Sequence, residues 1–172
     1  MIYRPEMLDL LQSAAVSEWN GTVYRHTFGS QPPARANTGG ARWNEPSLAA
    51  IYTSCERETA LAEAEYYIGL QPLRPQAKRT LFTIHVSLRK VIDLTAGDLL
   101  ALLGITDDVL AAIDHAPCRT VGAAVNWLGY NGLLVPSARR LGGTNLVIYQ
   151  QDLSTDSFEV TSDEEIAPDV RP

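Results

Sequence analysis

Between residues 80 and 88, Leu81, Phe82, Ile84, Val86 and Leu88 alternate with Thr83, His85 and Ser87. Successive side chains of a strand face opposite ways, so this period predicts a strand with one face in a core. Further strands are expected at 22–28, 49–53, 91–94, 133–136 and 145–149, with a last one around Phe158 and Val160. Helices are expected at 5–18, closed by Asn20-Gly21, and at 55–69, opened by the capping-box pattern Thr53-Ser54-Cys55-Glu56. Three more are expected, from Thr95 to Leu103, from Thr106 to Ile113 and from Arg119 to Leu128. Strands dominate both ends, with helices between them and at the N-terminus, which predicts an α+β fold. With 172 residues and no repeat or linker, one domain over 1–172 is expected. Within it, the N-terminal helix lies in 1–21 and an acidic tail, 161–172, frays.

Several functions are excluded early. No apolar run approaches the roughly 20 residues of a membrane span, and the N-terminus, with Arg4, Glu6 and Asp9, has no secretory signal. Cys55 and Cys118 stand alone, which suits a reducing cytoplasm and neither a zinc site nor a disulfide framework. The net charge of −6 argues against direct nucleic-acid binding. That charge is uneven, +2 over residues 1–90 and −8 over 91–172, so the first half can still hold a small anion. There is no Walker loop, HExxH, CxxC or GxSxG. His26, His85 and His115 are scattered without a triad.

The chemistry concentrates between residues 39 and 67. Gly39-Gly40 frees the backbone to bend, and Arg42-Trp43-Asn44 follows at once. A short apolar run carries Tyr52. The helix after it sets Glu63 among alanines, over Ala60 and under Tyr66 and Tyr67, flanking a stripe of Leu61, Ala64 and Ile68. Glu65 is expected in solvent. On spacing alone Glu63 reads as a surface carboxylate, and Arg25 as the solvent face of an edge strand. The long loop over 29–41 carries Arg35, and loops of that length are often functional. A cation, an aromatic face and a carboxylate on separate elements can converge on one small polar molecule.

Tyr24-Arg25, Gly39-Gly40-Ala41-Arg42-Trp43-Asn44, Ile51-Tyr52-Thr53-Ser54, Ala60-Leu61-Ala62-Glu63, Leu133-Leu134-Val135-Pro136-Ser137 and Thr144-Asn145-Leu146-Val147-Ile148-Tyr149 together resemble the RES domain. The resemblance runs from about Tyr24 to Tyr149. One departure is Ser47, where the family usually has glycine, which bears on the turn after Asn44. The resemblance implies a split, curved β-sheet like the core of ADP-ribosyltransferases, with a cleft for NAD. It implies a bacterial toxin that consumes NAD by phosphorolysis or hydrolysis, or that transfers ADP-ribose to a protein. It also implies an antitoxin partner with a helix-turn-helix region that blocks the cleft.

Cleaving the nicotinamide–ribose bond passes through an oxocarbenium-like state, which a carboxylate stabilises. On this reading Glu63 faces that charge and Tyr52 holds the nicotinamide. Arg25 and Arg42 grip the diphosphate, with Arg35 in reserve. Ser137 bonds the ribose or nicotinamide side, while Trp43 and Asn44 shape the loop. No metal is required. Without the resemblance, an enzyme and a non-catalytic binding module for a nucleotide or peptide stand about even, the module using the same cleft residues as simple contacts. In a structural or interaction protein the first-half arginines would be mere surface.

Overall fold

The computed structural model describes residues 3–150 and 157–167. Its elements run α1 (Pro5–Ser13), β1 (Val16–Phe28), β2 (Ala50–Ser54), α2 (Arg57–Gly69), β3 (Arg79–Asp93), α3 (Leu99–Leu102), α4 (Asp107–Ala111), α5 (Ala116–Trp127), β4 (Gly132–Pro136), β5 (Thr144–Tyr149) and β6 (Ser157–Glu165). The expected α+β class holds.

The strands form one sheet in the order β1-β2-β5-β4-β3-β6, and β1 also pairs with β3, so the sheet curves back on itself. The pairing is uneven. β1 and β3 are antiparallel from Val16↔Ile92 to Phe28↔Arg79, and β2, β5 and β4 are paired over most of their lengths. The two groups join only at Tyr24↔Ser54 and over the parallel step Val91–Asp93 against 132–134. The sheet is thus split, and the gap between β1 and β2 opens a cleft.

Each face of the sheet has its own core. Val23, Ile51, Ile84, Val86, Leu88, Leu146 and Ile148 pack together on one side. On the other, Ile92, Leu133, Val135, Val147 and Tyr149 pack against Leu11 of α1 and Val121, Ala124 and Val125 of α5.

Several expectations are corrected. The first helix ends at Ser13, not in the 18–21 region; residues 16–21 begin β1, because pairing with β3 outweighs their local pattern. The strands expected at 80–88 and 91–94 are one strand, whose continuity β1 enforces along its length. The capping box does not form. Thr53 Oγ1 donates to the Leu146 carbonyl and Ser54 Oγ to Asn145, while Glu56 is the N-cap without a side-chain cap bond. Thr59, Ala60, Ala64 and Ile68 form the buried stripe of α2, with Leu61 half-buried. Glu65 is not merely solvated: it pairs with the buried Arg79 at 2.6 Å and with Arg74 at 3.0 Å. The expected fraying tail is part of β6 as far as Glu165, where Glu164 pairs with Arg57 and Glu165 with Lys78. Residues 1–2 of the N-terminal segment and 168–172 of the tail lie outside the described residues.

Candidate active site

The gap between the sheet halves is a cleft of about 890 Å³, within the usual range for small-molecule sites. Arg25 from β1, Arg35, Gly40 and Arg42 from the loop before β2, Tyr52 from β2 and Glu63 from α2 all line it. Five of the six expected site residues therefore meet around one volume. Ser137, the sixth, stands just behind its wall between Pro136 and Ala138.

Glu63 is held by one oxygen. Its Oε1 accepts from Ser137 Oγ at 2.7 Å and from Asn145 Nδ2 at 2.8 Å. Ser137 Oγ in turn accepts from the backbone N–H groups of Arg139 and Arg140, both at 3.1 Å. Asn145 Oδ1 accepts from Ser54 Oγ at 2.7 Å. The register explains this arrangement. Ser54 lies opposite Asn145, Asn145 opposite Val135, and Ser54 also opposite Tyr24, so one row crosses the join of the sheet. Directly opposed residues share a face. Ser137 Oγ thus bridges Glu63 and the backbone of residues 139–140.

Tyr52 is also fixed. Its hydroxyl accepts from Trp43 N at 2.8 Å and donates to Asn44 Oδ1 at 2.8 Å, and burial pushes its pKa well above the ordinary tyrosine value. Asn44, fully buried, donates to the carbonyls of Asn37, Glu45 and Leu48. Trp43 and Asn44 do shape the loop. Of the two adjacent glycines, Gly40 makes the bend, with φ +88°. Gly122 on α5 lets the loop seat: a Cβ there would meet the Trp43 carbonyl oxygen at 2.0 Å.

The arginines differ. Arg25 is half-buried within the sheet and not on an edge strand; its Nη2 donates to the Arg35 carbonyl at 2.7 Å. Its Nη1 is shielded and meets no acceptor among the described residues, and burial lowers its pKa to about 10. Arg42 is buried, and its Nη1 donates to the carbonyls of Leu110 and Ala112.

Sequence reasoning missed Asn145, which reads as the start of an apolar strand, and Ser54, which reads as a helix cap. It set aside His26 and His115, yet both line the cleft. Only the strand register and the fold of the 107–116 segment bring these residues in. Among the described residues, no group of three or more His, Cys, Asp or Glu is placed to hold a metal ion.

The RES domain pattern matches residues 14–169. The NAD(+) phosphorylase MbcT of Mycobacterium tuberculosis, and that of Mycobacterium bovis, are each 28% identical over 173 residues, covering 94% of this chain and 91% of theirs. A chain of the crystal structure of the M. tuberculosis MbcT–MbcA toxin–antitoxin complex is similar with a TM-score of 0.83. That likeness, at 26% identity, covers 95% of this chain and 93% of that one. The family pattern spans both halves of the sheet and every residue of the cleft named above, and this chain belongs to the RES domain family.

Proposed function

We propose that the protein cleaves the nicotinamide–ribose bond of NAD and passes the ADP-ribosyl group to phosphate, as the cytoplasmic toxin of a toxin–antitoxin pair. The observation that carries this reading is Glu63, held through Oε1 by Ser137 and Asn145 on the wall of the cleft, in a relative of an NAD(+) phosphorylase. A carboxylate fixed before substrate arrives needs no reorganisation to meet a developing cation.

In this reading the Glu63 oxygen not engaged by Ser137 and Asn145 faces the ribose. The Tyr52 ring borders the nicotinamide, its hydroxyl already committed to Trp43 and Asn44. Arg25, with its shielded Nη1, takes the diphosphate, and Arg35 stands beside it. Ser137 and Asn145 are positioning residues. The partner is an antitoxin with a helix-turn-helix region. No helix among the described residues is long and apolar enough to cross a membrane.

Incubation of the purified protein with NAD, with and without phosphate, tests this. Nicotinamide is released, faster with phosphate, and ADP-ribose 1-phosphate accumulates. Little turnover until cell extract is added, with a labelled ADP-ribose adduct on one protein band, would make it a protein ADP-ribosyltransferase instead. Binding without turnover would make it a nucleotide-binding module.

A further inference from the structure

We infer that the cleft holds a second anion site, separate from the diphosphate grip at Arg25, where Arg42, Arg139 and His115 bind inorganic phosphate as the acceptor. The inference rests on the reading of NAD as substrate and names where the second reactant sits.

The cations of the cleft fall into two groups. Arg25 and Arg35 are tied to each other through the Arg35 carbonyl. Arg42 is tied instead to the segment around α4, through the carbonyls of Leu110 and Ala112, and His115 follows in that segment. Arg139 comes next to Ala138, which lines the same cleft, and its guanidinium lies 3.4 Å over the ring of Tyr66. Burial lowers the pKa of His115, and the positive charges of Arg42, Arg119 and Arg139 lower it further, against a smaller opposing pull from Asp114. These groups therefore share one field.

That field is poorly balanced by protein acids. Among the described residues Arg42 forms no ion pair: its partners are the carbonyls of Leu110 and Ala112 and the side chain of Cys118, whose thiol burial pushes up, although Arg42 is 7% exposed. Arg139 likewise forms no ion pair, and its Nε is shielded without an acceptor. Arg119 lies 3.9 Å from Asp114. The remaining acid nearby is Glu63, whose charge, like those of Arg42 and Arg139, bears on Tyr67. A buried cation left unbalanced is costly, and planar guanidinium forks match phosphate oxygens. A nicotinamide or a ribose brings no negative charge to this corner. NAD brings one diphosphate, for which Arg25 is already placed.

Phosphorolysis requires a second anion beside Glu63, and the step balances with hydrogen phosphate alone. One of its oxygens forms a bond to ribose C1 as the bond from C1 to the nicotinamide nitrogen breaks. The electron pair goes onto the ring nitrogen, cancelling its positive charge, and the phosphate proton stays on the product. Holding the nucleophile against C1 turns a bimolecular encounter into a local one.

The test varies phosphate at saturating NAD, and NAD at saturating phosphate, in the purified full chain. Arg139→Gln is the first variant, because Arg139 anchors no backbone through its guanidinium; His115→Ala is the second. The expected result is a phosphate KM raised at least ~10-fold with NAD KM changed less than ~2-fold, and the reverse pattern in Arg25→Gln. Without NAD, inorganic phosphate raises the Tm of the wild type and not that of Arg139→Gln. An unchanged phosphate KM in both corner variants overturns the inference while leaving NAD phosphorolysis standing. So does an equal rise in NAD KM, which would place the dinucleotide there. A wild type that releases nicotinamide indifferent to phosphate overturns the functional reading, and the inference with it.

Discussion

Glu63 shows how a residue that is unremarkable in sequence becomes specific in the fold. Both protein donors converge on Oε1, and among the described residues no donor meets Oε2. Glu63→Gln keeps the shape and removes the charge, and NAD turnover is expected to fall at least ~10²-fold with the fold intact. Asn145→Ala removes one donor and is expected to lower kcat about 10-fold with NAD KM unchanged. Because Asn145 acts through Glu63, adding Asn145→Ala to Glu63→Gln should cost nothing further, whereas independent effects would multiply. Steady-state kinetics of the three variants decide between these. That Glu63, Tyr52 and Arg25 share one cleft was legible from the family motifs they stand in, though not from spacing alone. Asn145 was not, because its meaning depends on facing Ser54 across two strands.

Ser47 answers the one visible departure from the family pattern. It keeps the positive φ, +77°, that glycine adopts more readily, so the turn is retained at a cost in strain. Ser47→Gly is expected to stabilise the protein by about 1 kcal/mol, read as a higher urea midpoint at unchanged slope. His26 carries a different cost. It accepts from Arg79 Nε at 3.1 Å, and burial, then the Arg79 charge, lower its pKa to about 4, against a smaller opposing pull from Glu65. An unfolded histidine titrates near 6.5. Between about 6.5 and 4 the unfolded chain binds the extra proton, so this contribution to stability falls as pH falls. In His26→Asn the urea midpoint should drop less between pH 7 and pH 5 than in the wild type.

At the scale of elements, the sequence revealed the types of most elements and misplaced their ends where tertiary pairing overrides local pattern. Asn20-Gly21 is a strong stop signal for a helix, yet β1 runs through it because β3 supplies partners at Ser87 and Val86. Arg89 and Lys90 interrupt the alternation of β3, and they occupy an exposed stretch where the register shifts: pairing with β1 passes from Trp19↔Leu88 to Ser17↔Val91, so β3 continues beyond the irregularity. The contact between α5 and the active-site loop was invisible, since Gly122 reads as an ordinary weak point of a helix. Its hydrogen faces the Trp43 carbonyl, whose oxygen accepts from the Tyr149 hydroxyl at 2.9 Å. In Gly122→Ala the backbone of one element must move, and no flexible side chain can give way. A loss of about 3 kcal/mol or more is expected by denaturant titration. Residual folded protein should show weakened NAD binding, because the loop braces Tyr52 through Trp43 and Asn44.

Across the whole molecule, the split sheet explains why the site could be guessed before its geometry could. Motifs from both halves were readable separately, but the cleft exists because β1 and β2 meet only at Tyr24↔Ser54. The charge asymmetry is partly absorbed within the fold: Glu164 and Glu165 of β6 pair with Arg57 and Lys78 from the basic half. The cleft itself stays open between Arg25 and Glu63, built before substrate arrives. An NAD-degrading site of this kind, unrestrained, endangers the cell that makes it. Expression of the protein alone is therefore expected to deplete NAD and stop growth, and co-expression of the neighbouring antitoxin to restore both. The loop over 29–41, whose residues Arg35 and Gly39 line the cleft, lies within reach of whatever covers the opening. Glu63→Gln should be harmless on its own while still binding the antitoxin, which separates loss of chemistry from loss of the surface. Harmless expression of the folded, NAD-binding wild type would instead leave a nucleotide-binding module with no need of an inhibitor.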